Sequence, residues 1–473
     1  MRYILSPEEM RAAEQAAFDR GVSSLLLMET AARGAVERLH ALLPGGGKAA
    51  FLGGPGNNGG DGLAMARLWK LEGGESAVVL PKAPQTPDAQ TNLAYARALD
   101  IPVLEALPTG MDALVDALFG TGFHGAVAED SAMGRLIAAA NAAGVPILAV
   151  DIPSGMNGLT GAVEGACVHA AETVTFHAAK RGLLLTAHPD WVGRLTVADI
   201  GLPQGGGIPW ADDLAELLPP RAANAHKGDC GRAVLYAGSE GMAGAAIMAA
   251  QACLRAGSGL VTVVCPRQIL PILQKTVPNA MCQPLEEAPA PRADARLLGC
   301  GLAETEENWA LLQRLHDEQV PEVWDAGALN LLARHPQALG ENAYITPHVG
   351  EAARLLDCWI ADIQADPLGA AQALARRYRC HAALKSAVTV LCDPDGALAI
   401  NALPAPALAK GGSGDALAGI LCSLLGQGLR GLPALQAAAL WHSRAGQIAG
   451  KRYGVRSALT GEVIACLGEA WGE

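Results

Sequence analysis

Two blocks of short apolar runs alternating with amphipathic stretches, separated by a Gly- and Pro-rich segment, restrict this chain to a few architectures. In the first block, residues 49–52 (AAFL), 76–80 (SAVVL), 113–118 (ALVDAL) and 146–150 (PILAV) read as buried parallel strands. Residues 63–71 and 133–143 read as helices between them. This βαβ alternation predicts a doubly wound sheet, and right-handed crossovers place helices on both of its faces. The pattern stops near residue 202 in PQGGGIPW, and LLPPRAANAHKGDCG follows. Such a stretch separates domains, which puts a boundary near Asp212. Beyond it, residues 233–236, 261–265, 295–298, 322–324, 343–345 and 383–384 read as strands of a second α/β domain. A chain of 473 residues exceeds the size at which one core stops growing, so domains at 1–211 and 212–473 are expected. The halves share no repeated motif and read as a fusion of unrelated units.

Composition narrows the function classes. Half of the residues are apolar and 17% are charged, as in a packed enzyme and unlike a disordered chain. The net charge of −12 and the lack of a basic stretch argue against a nucleic-acid partner. Residues 1–10 have no apolar h-region, and no run of about eighteen uncharged apolar residues occurs, so neither secretion nor membrane spanning is expected. A cytoplasmic enzyme fits. Eleven cysteines without a C-x-x-C pair read as reduced, buried thiols.

In the first domain, GGPGNNGGD at residues 53–61 follows a strand and opens a helix at about Gly62. Free N–H groups and the helix dipole there can hold a diphosphate, and Asn57 and Asn58 add amides. Asp116 in VDALFGTG and Asp151 in DIPSG sit at strand ends, where open α/β sheets gather ligands. The alternative for both acids is capping of the following turns. Asn58, Asp116 and Ser154 offer hard oxygen donors, suited to an alkali or alkaline-earth cation and unsuited to zinc. Lys180 reads equally as a phosphate partner or an exposed lysine beside a turn.

The motifs NNGGDG, VDALFGTG, DIPSGMNGLTG and TFHAAKRG, in this order over about residues 1–202, resemble the NAD(P)H-hydrate epimerase family. The resemblance implies a Rossmann-like fold. It implies that Asn57, Asn58, Gly59, Gly60 and Asp61, with Gly120, Thr121, Gly122, Phe123, His124, Gly125 and Ala126, hold a hydrated dinucleotide. It further implies K+ at Asn58, Asp116 and Ser154, with Asp151 touching substrate. Epimerising the hydrate at its ring carbon requires a positioned acid or base, and Asp151 is the candidate.

In the second domain, GGSGD at residues 411–415 runs directly into an apolar helical stretch at 416–425. Amides of Gly412, Ser413 and Gly414 at a helix N-terminus can form an anion hole, and Asp415 can take a proton from an attacking hydroxyl. That is a ribokinase-like arrangement; the plainer reading is an Asp N-cap after a glycine turn. HKGDCG, AGSEGMAGAA, WDAGALN, TPHVGE, LKSAVTV and LAKGGSGDALAG, over about residues 226–472, resemble the ADP-dependent NAD(P)H-hydrate dehydratases. The resemblance implies adenine-nucleotide contacts at Lys385, Ser386, Ala387, Val388, Thr389 and Gly414. Hydrate contacts follow at Ala245, Gly301, His348 and Asp415, with Mg2+ as cation. The chain departs from the family pattern with Ser386 for Gly, Cys300 for Pro, Gly327 for Asp and Lys410 for Thr.

Together the resemblances imply epimerisation of the R and S hydrates of NADH and NADPH, and ADP-dependent dehydration of the S form to NAD(P)H, AMP and phosphate. The small-molecule partners are then the hydrates and ADP. A homo-oligomer is compatible with the sequence, because interface and core residues look alike. A small-molecule kinase and a non-catalytic nucleotide sensor are the competing readings.

Overall fold

The computed structural model describes residues 2–203, 205–217, 221–287, 291–317 and 319–471. Residues 204 and 218–220 of the Gly- and Pro-rich stretch lie outside the described residues. The chain divides into two compact units, one of residues 3–208 and one of residues 1–2 with 209–473.

The first unit is built on a seven-stranded, wholly parallel sheet. Its order is Val103–Leu104, Glu75–Val79, Lys48–Gly53, Ala113–Ala117, Ile147–Val150, Glu172–Phe176 and Arg194–Ala198. The chain enters this sheet at Lys48–Gly53, winds one way to Val103–Leu104, and then crosses back to Ala113–Ala117. The switch point therefore lies beyond Gly53 and Ala117, where such sheets open a crevice. Ala113–Ala117 and Ile147–Val150 are buried throughout, which explains why they are apolar at every position but Asp116. The strands Glu172–Phe176 and Arg194–Ala198 escape an apolar-run reading because Glu172 and three threonines interrupt them. Glu172 is buried but accepts from Arg38 Nε at 2.5 Å and Thr196 Oγ1 at 2.9 Å.

The expected helix at Gly62 begins earlier, at Asn57, and runs to Leu71. The reason is steric. A Cβ at Gly59 would lie 1.9 Å from the Gly54 carbonyl oxygen, so only glycine lets the first turn fold back onto the loop.

The second unit repeats the doubly wound logic with different strands. Its sheet runs Met281–Pro284, Leu260–Cys265, Arg232–Tyr236, Ala295–Leu298, Glu322–Trp324, Ala343–Ile345 and His381–Leu384, all parallel. Thr389–Cys392 and Leu398–Asn401 then continue it antiparallel. Here the switch point falls between Arg232–Tyr236 and Ala295–Leu298. The two loops beyond those strands are tied together, the Gly238 amide donating to the Cys300 carbonyl at 2.8 Å. The helix Ser413–Gly426 packs against the alanine-rich helix Ala243–Arg255, with Gly419 close to the Ala249 carbonyl. Among the described residues, no helix is long and apolar enough to cross a membrane.

Candidate active sites

The crevice of the first unit gathers most of the expected residues. The helix Asn57–Leu71 starts at Gly56 without any side-chain cap, leaving its first amides open. Asp116, at the end of its strand, is fully buried. Its Oδ1 accepts from Ser154 Oγ at 2.6 Å and its Oδ2 from the Ser154 amide at 2.8 Å. Burial outweighs these hydrogen bonds and pushes its pKa up to about 6. Asn58 is half-buried, but its Oδ1 and Nδ2 are both out of contact with solvent and neither is hydrogen-bonded. A Cβ at Gly120 would lie 3.0 Å from Asp151 Oδ2 and 3.2 Å from Asn58 Cβ, so the Gly120 loop closes over both residues.

Asp151 adopts a left-handed φ of 68°, unusual outside glycine and a form of local strain that active sites often carry. Its Oδ2 accepts from the Thr121 amide at 3.0 Å and its Oδ1 from Thr175 Oγ1 at 3.1 Å. Lys180 is 1% exposed, so the surface reading of this residue is corrected. Its ammonium lies 3.0 Å from Asp151 Oδ1 and donates to Thr175 Oγ1 and the Phe176 carbonyl at 2.8 Å each. Asp61 is held well above the usual carboxylate range, first by burial and then by Asp151 and Glu14. Glu14, in the helix Pro7–Phe18, is likewise raised by burial and by Asp151.

Phe123 stacks on Phe119 at 4.8 Å between centroids, whereas Gly122, His124, Gly125 and Ala126 are exposed on the loop. Motif reading missed Glu14, Thr175 and the buried place of Lys180. Glu14 lies far upstream of every glycine motif, whereas Thr175 opens TFHAAKRG, where the motif gave it no role.

The second unit assembles its site at its own switch point. The helix Ser413–Gly426 begins at Gly412, whose φ of 89° is left-handed, and no side chain caps it. Of the three amides expected to form an anion hole, that of Ser413 donates to the Lys410 carbonyl at 3.3 Å. The Ser413 hydroxyl lies 3.4 Å from Nε2 of His442, whose pKa burial and the nearby Lys385 depress to about 4. A Cβ at Gly414 would lie 3.1 Å from Lys385 Nζ, which places the glycine loop against that lysine.

Lys385 is paired with a residue that motif reading missed, buried Asp325, through Oδ1 at 2.8 Å. Burial alone would lower the lysine's pKa, but Asp325 and Glu351 outweigh it and the net shift is upward. Thr346 Oγ1 donates to the same Asp325 oxygen at 2.8 Å. Asp415, half-buried, is pushed up to about 6 by burial and by Asp325, against a Cys300 hydrogen bond and Lys385. The signal for Asp325 was present in WDAGALN, an acid at the end of a strand, as with Asp116 and Asp151.

Gly301 meets Ala245, since a Cβ there would lie 2.8 Å from Ala245 Cβ. His348 caps the helix Val349–Leu356, its Nδ1 accepting from the Gly350 and Glu351 amides, and pairs with Lys385 across an isolated bridge. Ser386 and Ala387 are exposed beyond Lys385, Val388 is half-buried, and Thr389 opens the strand Thr389–Cys392.

Two doubly wound units, each with an uncapped glycine-opened helix and a buried Lys–Asp pair, define a two-site α/β enzyme of the nucleotide-handling class. The family described as YjeF-related protein N-terminus matches residues 24–182, and that described as NAD(P)H-hydrate dehydratase matches residues 233–467. The chain is 36% identical to a bifunctional NAD(P)H-hydrate repair enzyme of Escherichia coli, over 97% of this chain and 92% of the relative. It is 35% identical to that of Coxiella burnetii, over 98% of both. The second unit is similar to a solved ADP/ATP-dependent NAD(P)H-hydrate dehydratase of Bacillus subtilis, with a TM-score of 0.53 and 27% identity. That match covers 57% of this chain and 99% of the other. A ribokinase-like superfamily protein of Enterococcus faecalis matches with a TM-score of 0.51 and 25% identity, over 57% of this chain and 97% of the other. The chain belongs to the family of bifunctional NAD(P)H-hydrate repair enzymes.

Proposed function

We propose that residues 1–211 interconvert the R and S hydrates of NADH and NADPH, and that residues 212–473 dehydrate the S form at the expense of ADP. What most supports the second activity is Asp415 at an uncapped helix start, beside the Lys385–Asp325 pair. Water leaves a ring poorly as hydroxide. The hydrate's ring oxygen attacks the terminal phosphorus of ADP, Asp415 takes the hydroxyl proton, and AMP leaves. Phosphate then departs with the carbon–oxygen bond pair while the neighbouring ring carbon loses a proton, giving NAD(P)H. Lys385 neutralises phosphate oxygens, and the Gly412 and Gly414 amides at the start of the Ser413–Gly426 helix hold them in line.

In the first unit, Asp151 exchanges the proton at the ring substituent, with its geometry set by Thr121, Thr175 and Lys180. The residues Asn57 to Asp61 and the Gly120 loop cradle the diphosphate. A monovalent cation fits Asn58, Asp116 and Ser154. Asn58 Oδ1 is buried without a partner, and Asp116 is a fully buried carboxylate with no ion pair among the described residues. K+ bound there would add positive charge beside the diphosphate. In the second unit, Mg2+ fits as a companion of the nucleotide's own phosphate oxygens, since it keeps most of its shell and favours oxygen donors.

The test is recovery of dihydronicotinamide absorbance when the protein is given mixed R and S hydrates with ADP, with ATP, or with neither. Near-complete recovery that depends on ADP is expected. Recovery of the S fraction alone would overturn the epimerase assignment, and no recovery with either nucleotide would overturn the dehydratase.

A further inference from the structure

Cys300 introduces a soft ligand into a site that otherwise offers oxygen and nitrogen. Among the described residues, Cys300, Asp325 and Asp415 form the cluster whose Sγ and carboxylate oxygens all lie within 4.8 Å of one another. Cys300 Sγ stands 3.8 Å from Asp325 Oδ2. The edge between sulfur and oxygen ligands of a tetrahedral zinc ion is about 3.6 Å, from bond lengths of about 2.3 and 2.1 Å.

The carboxylate is also oriented for this use. Lys385 and Thr346 both occupy Asp325 Oδ1, at 2.8 Å each, and leave Oδ2 turned to the thiol. Outer hydrogen bonds of this kind fix the ligands of metal sites. Cys300 itself is held between Gly299 and Gly301, both at positive φ, and by the Gly238 amide on its carbonyl. Charge balances as well: a thiolate and two carboxylates offset a divalent cation plus the Lys385 ammonium, as a buried site requires.

We propose that Cys300, Asp325 and Asp415 form a binding site for a thiophilic divalent cation, Zn2+ or Cd2+, whose occupation shuts off the second unit's reaction. Three protein ligands leave one tetrahedral position for water or a substrate oxygen. The ion takes the lone pairs of Asp415 that would otherwise accept the hydroxyl proton, so binding and turnover exclude each other. Inhibition rests on the dehydratase reading, whereas binding does not.

The experiment is a titration of the chelator-treated full chain with Cd2+ alone, followed by thiolate-to-Cd2+ charge-transfer absorbance, for wild type, Cys300→Ser and Cys300→Ala. We expect a one-equivalent step in wild type that Zn2+ displaces and both variants lack, and weaker binding by Asp415→Asn. An identical step in both variants, or none in wild type, overturns the site. In parallel, Zn2+ should inhibit wild-type dehydration at least ten-fold more strongly than that of Cys300→Ser at equal nucleotide, and leave epimerisation unchanged. Equal inhibition of both overturns the proposed switch. Absence of dehydration in untreated wild type would fault the dehydratase reading, and the Cd2+ titration would still decide the site.

Discussion

Lys180 Nζ lies 3.0 Å from Asp151 Oδ1, with the lysine 1% and the aspartate 12% exposed by side chain. A pair so far from water is strongly coupled, and losing one partner strands the other's charge. Lys180→Met should destabilise the first unit by about 3–5 kcal/mol and abolish epimerisation. Dehydration of pure S hydrate should persist. Chemical denaturation and a chiral assay of the hydrates check both; unchanged epimerisation would remove Lys180 from the mechanism.

Asp415 gives a pH dependence with a definite sign. Its pKa moves from 3.8 to about 6 on folding, chiefly by burial and the Asp325 charge. As a base it must be ionised, so kcat/KM for dehydration should fall as pH drops below about 6. Between 3.8 and about 6 the folded state keeps a proton that the unfolded chain has lost, so this group's contribution to stability declines as pH rises. Asp415→Asn should therefore be inactive in dehydration, retain nucleotide binding, and gain about 1–3 kcal/mol at neutral pH. Denaturation curves at pH 5 and 7.5 test it; a sensor protein would show no loss of turnover to report.

Asp325→Asn removes the charge that raises Asp415 and frees Lys385 to lower it further. The acid limb of the dehydration profile should then move to lower pH, with turnover reduced because Lys385 loses its anchor. A limb that stays in place would separate Asp325 from the proton-accepting group.

Gly414→Ala places a methyl 3.1 Å from Lys385 Nζ at the open helix start. KM for ADP should rise at least ten-fold with little change in stability, since the contact is the end of a flexible side chain. Gly59→Ala is the contrast: its Cβ would lie 1.9 Å from a backbone oxygen, so the first unit should lose about 1–3 kcal/mol or more. Initial rates and thermal denaturation of both variants discriminate ligand crowding from fold damage.

Local pattern by itself determined the βαβ alternation, the doubly wound first sheet, a second α/β unit, and the glycine loops ahead of two helices, whose starts the structure moves forward to Asn57 and Ser413. These features are legible because buried parallel strands are continuous apolar runs and because glycine is required wherever backbone meets backbone. The same local rules placed Asp116, Asp151 and Asp415 at strand or helix ends. They could not report that Lys180 is buried on Asp151, that Asp325 holds Lys385 across 60 residues of chain, or that Cys300 faces both Asp325 and Asp415. Those pairings depend on which strands lie side by side at the switch point. The charges concerned become tightly coupled only after the folded sheet and helices remove them from water, which tertiary structure alone decides.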